Sequence, residues 1–430
     1  MKRYFHFLKL LFLILLLIPL TVSLSAQEAG TENGGRKNGA LKVYLDCFNC
    51  DMNYTREQIP YVNYVREGKD AEVYVLVSSQ NAGNGGNQYT YTFLGQGKYS
   101  GMNDTLVYTS SPNEASSIIR NERTDLLKMG LVRYVAKTPM RDMIQITHDM
   151  DVDTEEVEDK WNNWIFELRT SPRLNYEQSY NNINIYNSLN VSRVTPEMKL
   201  EIEIDQSRSK QSYKDDDGNV TTFIQDQKAI ENLLVKSLGD HFSAGLKTDI
   251  LSSTNTNYNL GFKVMPALEY DLYPYSEATH RQLRFLYSVG YLNCNYIDST
   301  IYNKIRESLF EQELRIGYEV QDVWGSVNIS LTASNFFHDW SKNKVELDGF
   351  VNLTIVRGLS ISVNGGVAYI NNQLNLRKAG LSEAERLLRL KEQATNFNLM
   401  GSVSISYTFG SIYNNVVNPR FGYRGGIGGF

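Results

Sequence analysis

Past its amino terminus the chain has no run of about twenty apolar residues, which excludes a bundle of membrane-spanning helices. Cysteine is almost missing: Cys47, Cys50 and Cys294 are the only three. None of them stands at the probable cleavage point behind the amino-terminal apolar stretch, so a lipid-anchored lipoprotein is not expected. Two soft ligands three residues apart are also too few for a structural zinc site, which takes four. The formal net charge is −5, 42% of residues are hydrophobic and the mean hydropathy is −0.37, so bulk hydropathy alone describes a soluble chain. Averages of that kind hide barrel strands, in which every second residue is polar. Tyrosine is abundant instead, 28 residues against 18 Phe. Its amphipathic ring suits a membrane interface, where barrels carry aromatic girdles.

The most informative stretch is Asn396 to Phe409, N-F-N-L-M-G-S-V-S-I-S-Y-T-F. Phe397, Leu399, Val403, Ile405, Tyr407 and Phe409 share one parity; Asn398, Ser402, Ser404, Ser406 and Thr408 share the other. Strands of soluble sheets usually run about five or six residues, whereas a strand tilted across a bilayer needs roughly nine to eleven. Length and alternation together predict a strand with one face in lipid and one in a polar lumen. The same pattern recurs from Trp161 onward, over Trp161–Tyr176, Ile183–Val194, Met198–Tyr213, Val220–Leu238, Phe242–Leu251, Tyr258–Tyr273, Gln282–Tyr296, Phe310–Val323, Val327–Phe337, Val345–Val356 and Leu359–Gln373. With the last strand these make twelve, the even number that leaves both ends of a barrel on one side. The fourth is ambiguous, because Lys228 to Val235 also reads as a helix. The long connections Lys214–Asn219, Ile297–Leu309 and Leu374–Thr395 alternate with short turns, as outer loops and periplasmic turns do.

Parity assigns the faces. Glu201, Glu203, Asp205, Lys263 and Glu269 point inward with Arg284, and so do Glu311, Glu313, Arg315, Glu319, Glu346 and Asp348. Leu200, Ile202, Ile204, Phe262, Leu268, Leu314 and Ile316 point outward. A charge on the lipid face near mid-membrane costs about 2–4 kcal/mol, which explains the segregation. The expected fold is therefore a transmembrane antiparallel β-barrel of about 12 strands over 161–412, closed on itself, with a small α/β domain before it. Its lumen is acid-rich and narrow enough for ions to pair across it. Ser382-Glu-Ala-Glu385 has the spacing of a capping box and predicts a short helix, with an apolar side of Leu387, Leu388 and Leu390, over or into the outer mouth.

Residues 1–26 carry Lys2, Arg3 and Lys9, an apolar core Leu10 to Leu20, then Ser23, Ser25 and Ala26, the three regions of a secretory signal peptide. A flexible lead-in follows over 27–40. Residues 41–138 read as strand, helix, three strands and helix. Their strand Ala71 to Ser79, Gly-rich hairpin, strand Tyr89 to Gly95 and closing helix ending Gly130-Leu-Val-Arg-Tyr134 resemble the amino-terminal domain of the TolB family and the related fold of the curli secretion lipoproteins. That resemblance implies a periplasmic fold with a partner-binding face. Cys47 and Cys50 read as a disulfide that staples a loop. A reactive dithiol would also sit between a strand and a helix start, but Asp46 and Asp51 flank the thiols with the wrong charge. Residues 139–160 form an acidic linker; Asp149 to Lys160 departs from a calcium loop at Thr154 and Lys160, where Gly and Glu are required.

A Gly-rich tail, 413–430, ends the sequence, and the ending G-S-V-S-I-S-Y-T-F followed by Gly410 to Phe421 resembles uncharacterised outer-membrane proteins of the Bacteroidetes type. Tyr407 and Phe409 are similar to the signal read by the barrel assembly machinery. The chain as a whole is expected in the bacterial outer membrane with its amino-terminal domain in the periplasm. It is read as non-enzymatic and without cofactor, serving transport through a narrow acid-lined pore or envelope organisation. Its expected partners are outer-membrane lipid, the barrel assembly machinery and a periplasmic protein, with no role for nucleic acid. One alternative is a closed barrel anchoring a partner-binding domain. Another is a barrel hydrolase using His241 and Ser243.

Overall fold

The computed structural model describes residues 37–145, 159–413 and 415. The expected signal peptide, most of the lead-in, linker residues 146–158 and the tail past 415 lie outside the described residues.

The amino-terminal unit runs β1 (Lys42–Asp46), α1 (Met52–Gln58), β2 (Asn63–Tyr64), β3 (Val73–Asn81), β4 (Asn87–Gly95), β5 (Asn103–Thr109) and α2 (Ser116–Val135). Beyond the expected elements it contains the two-residue β2 and short 3-10 turns at Gly68–Asp70, Gly97–Tyr99 and Pro139–Met143. The sheet order is β2-β1-β3-β4-β5, with β1 parallel to both neighbours and the rest antiparallel. Val73, Val75 and Val77 of β3 are buried with Tyr91 and Phe93 of β4 under Leu127, Leu131, Tyr134 and Val135 of α2. The helix approaches so closely that a Cβ on Gly130 would fall 2.0 Å from the Phe93 ring. Only glycine fits there.

The second unit is one antiparallel sheet of twelve strands in chain order: β6 (Trp164–Tyr176), β7 (Tyr180–Val194), β8 (Met198–Lys214), β9 (Val220–Ser237), β10 (Phe242–Ser253), β11 (Tyr258–Asp271), β12 (Arg281–Tyr296), β13 (Arg306–Asp322), β14 (Gly325–Phe336), β15 (Asp339–Val356), β16 (Leu359–Ile370) and β17 (Phe397–Tyr407). Lys228 to Val235 is strand, paired on both sides. The strands β13 and β15 begin earlier than their alternation predicts, because Glu307 pairs with Cys294 and Asn343 with Asn335 in polar hairpin extensions. No helix among the described residues is long and apolar enough to cross a membrane.

Register shows how the sheet divides its faces. Phe285, Ile316, Leu331, Leu347, Val367 and Leu399 stand opposite one another across six strands, and one step along lie Arg315, Thr332, Glu346, Ala368 and Asn398. Burial runs opposite to that of a soluble sheet. Met265, Asp271, Ser288, Cys294, Glu311, Ser334, Phe336 and Ala368 are buried, and all have the parity of the charged face. Leu268, Leu314, Leu331, Leu347, Val363 and Val403 are exposed on the other parity. An enclosed ionic face and a bare apolar one are what a barrel spanning a bilayer requires.

One expectation needs correction. No ladder joins β6 to β17 among the described residues, so the ring is not completed by hydrogen bonds. Every residue of β17 is exposed, on both parities. These two strands have a neighbour on one side only, whereas a bilayer interior leaves no unpaired strand edge unpunished. The seam is thus the weakest line of the barrel.

The amino-terminal unit packs on the end of the barrel that bears the short turns. Arg357 pairs with Asp70 at 2.7 Å, the Gly358 N–H donates to the Glu67 carboxylate at 3.1 Å, and Gln321 donates to the Val77 carbonyl at 3.5 Å. Gly358 has φ +75°, a conformation that favours glycine in a two-residue hairpin turn. The chain following β17 returns to the same unit, where Tyr413 bridges Val65 and the Arg66 N–H donates to the Ile412 carbonyl. The start of the tail thereby covers the β2 edge of the sheet.

Replacing Leu331 by Lys on the apolar face should lower barrel stability in lipid by about 2–4 kcal/mol. The neighbouring Ser330→Lys, at a position opposite Asp348 of β15, should cost far less. Urea titration of both variants in vesicles measures the difference, and equal effects would contradict the assigned faces.

Candidate functional site

The barrel interior gathers charge in cross-strand rows. Glu203, Glu231, Asp249 and Lys263 stand opposite one another on β8, β9, β10 and β11. Three like charges in line repel, so the row needs its cation. The Lys263 ammonium lies 2.8 Å from the carboxylate of Glu311, which is only 6% exposed. Lys344 pairs with Glu346 at 2.7 Å, and Lys199 with Glu201 at 2.9 Å. Arg315 lies 3.9 Å from Glu313. Asp205 accepts from the Tyr186 hydroxyl at 2.6 Å, and Glu269 from that of Tyr275 at 3.1 Å. Arg284 faces Asp271 across the ladder, Glu319 lies opposite Gln282 and Asn328, and Asp348 opposite Ser330 and Gly366. The charged positions are therefore spread along the bore rather than collected at one point.

Only a subset shares a space. Glu231, Asp249, Lys263, Glu311 and Lys344 line a cavity of about 620 Å3 in the outer half of the barrel. Its roof carries a further carboxylate, Glu392, so four acids face two ammonium groups. Phe336, Leu292 and the buried Cys294 complete the wall.

The roof is the connection between β16 and β17. It leaves the sheet at Asn371, and Leu374 turns down to pack against Leu309, Phe336 and Leu292 on lumen positions. It then crosses to the loops and strand ends on the opposite side. Asn257 donates to the Asn375 carbonyl at 2.9 Å, and Asn375 to that of Thr256 at 2.9 Å. Arg377 donates to the Thr254 carbonyl at 2.7 Å and pairs with Asp298 at 2.8 Å. Gln225 and Asn255 both donate to the Leu390 carbonyl at 3.0 Å. Leu374, Asn375, Leu376 and Leu390 are buried as a result. Parity analysis of the strands could not find these residues, since they belong to no strand. The available signal was Asn371-Asn372-Gln373-Leu374-Asn375, four amides around one Leu, which suits a segment that must satisfy carbonyls away from water.

The capping box forms α3 (Glu383–Leu387): the Ser382 hydroxyl accepts from the Glu385 N–H at 3.2 Å, and the Glu385 carboxylate accepts from the Ser382 N–H at 2.9 Å. The apolar side expected for this helix is only partly used. Leu390 is buried, but Leu387 is 73% exposed and Leu388 also stays at the surface. The segments flanking α3, not the helix itself, close the mouth.

The remaining candidates lie elsewhere. Tyr407 and Phe409 stack at 5.7 Å, exposed near the turn-bearing end of the barrel. Cys47 and Cys50 form a disulfide in the amino-terminal unit, with Cα atoms 5.6 Å apart. His241 contacts the Asp271 carbonyl at 2.8 Å, while Ser243 hydrogen-bonds the Tyr275 hydroxyl at 2.9 Å. Among the described residues no hydrogen bond links His241 to Ser243, and no group of three or more His, Cys, Asp or Glu is placed to hold a metal ion.

No family model and no curated protein matches the chain. Among solved structures, a NanC porin matches 57% of this chain and 100% of its own at 12% identity and a TM-score of 0.26. A bacterial polysaccharide outer-membrane secretin matches 57% of this chain and 90% of its own at 10% identity and a TM-score of 0.28. The fold rests on the chain's own strands and their register.

The bond to Lys391 and those from Ser382 hold the Glu385 carboxyl down from its ordinary 4.5 to about 2. A carboxylate depressed on folding stabilises the folded form above its unfolded pKa, and that contribution disappears as pH falls through the folded value. Glu385 should therefore support α3 above about pH 4.5 and release it as pH drops toward 2. A carboxyl 13C titration should place its midpoint near 2, and Lys391→Met should raise it; an ordinary midpoint would remove the box from the cap's stability.

Proposed function

We propose that this chain is a bacterial outer-membrane barrel, sealed at its outer mouth by its own loop, that anchors an α/β domain on the periplasmic side for envelope organisation. The observation that carries this reading is the roof, which spans from β16 to the loops of the opposite wall and buries Leu374 in the bore. The bare apolar band supports placement in lipid. The position of the amino-terminal unit against the short turns supports the periplasm as its side, since such barrels keep short turns there. The resemblances to the TolB-type fold and to Bacteroidetes-type outer-membrane proteins belong to the same reading, as does delivery by the barrel assembly machinery through Tyr407 and Phe409. The reading contains no catalytic step, in keeping with the separate partners of His241 and Ser243.

One observation favours a second reading, transport through a gated pore. The cavity beneath the roof carries an excess of carboxylates, which would select cations if the roof moved aside.

Planar bilayers test both. The native protein should be silent, and a variant with residues 374–394 replaced by a short Gly-Ser turn should show cation-preferring conductance steps. Steady conductance from the native protein would overturn the sealed-anchor reading. Silence of the shortened variant would overturn the gated pore.

A further inference from the structure

The amino-terminal unit contains a constellation that an anchoring role does not use. The Arg123 guanidinium, on α2, lies 3.1 Å from the sulfur of Cys47 and 3.1 Å from that of Cys50. Its Nε donates to the Tyr91 hydroxyl at 3.2 Å, its Nη1 to the Asn49 carbonyl at 3.1 Å, and its plane covers the Tyr89 ring at 4.3 Å. Among the described residues no carboxylate pairs with Arg123, so its charge remains available to the sulfurs. The acids noted in the sequence are turned to other work. Asp46 accepts from the Tyr74 hydroxyl at 2.5 Å, and Asp51 caps α1 through the Tyr54 N–H at 3.1 Å and meets Arg120 at 3.4 Å. Burial pushes the Tyr91 phenol up, so it faces Cys50, 3.9 Å away, as a neutral hydroxyl.

The disulfide is also reachable. Cys50 lines a groove of about 440 Å3 between α1, β4 and α2. Phe48, held between the two cysteines, is 97% exposed. A bridge closing so short a loop removes little chain entropy. Stapling alone therefore accounts for neither the guanidinium on the sulfurs nor the bare aromatic ring beside them.

We propose that Cys47–Cys50 is a redox-active disulfide that accepts two electrons from a dithiol, such as a pair of cysteines on another exported protein, with Arg123 stabilising the thiolate that leaves. A thiolate of the dithiol attacks the Cys50 sulfur from the groove; the S–S bond breaks, a mixed disulfide forms, and Cys47 departs as a thiolate against Arg123. The second thiolate of the dithiol then attacks its own partner sulfur and releases Cys50. The dithiol becomes a disulfide, and Cys47 and Cys50 end reduced, taking up from solvent the two protons that the dithiol gave up. A stabilised reduced form makes a disulfide oxidising. Phe48 offers the apolar contact for a protein substrate.

The test uses the full chain in detergent. After reduction with dithiothreitol, alkylation rates of Cys47, Cys50 and Cys294 are followed against pH by peptide mass spectrometry. At least one thiol of the pair should titrate a full pH unit or more below the ordinary value of about 8.5. Arg123→Met should raise it by about a unit and slow reduction of the bridge by dithiothreitol roughly tenfold, and Arg123→Lys should keep most of the native behaviour. Two native thiols titrating at or above the ordinary value would overturn the proposal, and that measurement decides even if the Met variant fails to fold. An unchanged titration in a folded Met variant would equally remove Arg123 from the role.

Discussion

In hydrocarbon a strand's backbone has no hydrogen-bonding partner except the next strand, and the rest of this molecule follows from that. Each ladder from β6 to β17 satisfies the main chain, and the period of two then sorts side chains into lipid and lumen with no further choice. The twelve-strand sheet uses that sorting in reverse of a soluble protein, with its ions enclosed and its Leu, Ile and Val bare. The seam between β6 and β17 is the one place where the ladder rule is unmet among the described residues. Closing it would complete a ring whose other eleven contacts are already formed.

Enclosing ions creates a second problem, which the interior solves locally. Burying an unpaired charge is costly, so Lys263 reaches past β12 to Glu311 and Lys344 turns to Glu346. The roof over the outer cavity obeys the same rule with amides in place of charges. Asn257, Asn375 and Gln225 occupy carbonyls that would otherwise be stranded as the loop crosses the bore. Polar satisfaction and closure of the mouth are thus one feature. The loop's hydrogen bonds hold it across the bore.

Alternation made the strands legible because a period of two is imposed residue by residue. Leu268, Leu314 and Ile316 could be placed outward without knowing their neighbours, and Glu311 or Asp348 inward by the same rule. Two kinds of feature were hidden. Strand ends were one: Glu307 and Asn343 extend their hairpins with polar residues on both faces, where alternation has no meaning outside the apolar band. Contacts between distant segments were the other. Nothing near Cys47 announces Arg123, which lies 76 residues on, and the charges nearest in sequence, Asp46 and Asp51, are acidic and give no sign of a cation at the sulfurs. Nor does β17 reveal that the chain after it returns to β2.

The central claim is that the apolar parity of these strands faces lipid. It is tested most directly by placing single cysteines from Leu347 to Asn352 on β15, in a Cys294→Ser background, labelling each with a fluorophore and reconstituting with a quencher tethered to lipid tails. Quenching should be strong at 347, 349 and 351 and weak at 348, 350 and 352. A profile without that alternation, or with its phase reversed, would contradict the barrel as described.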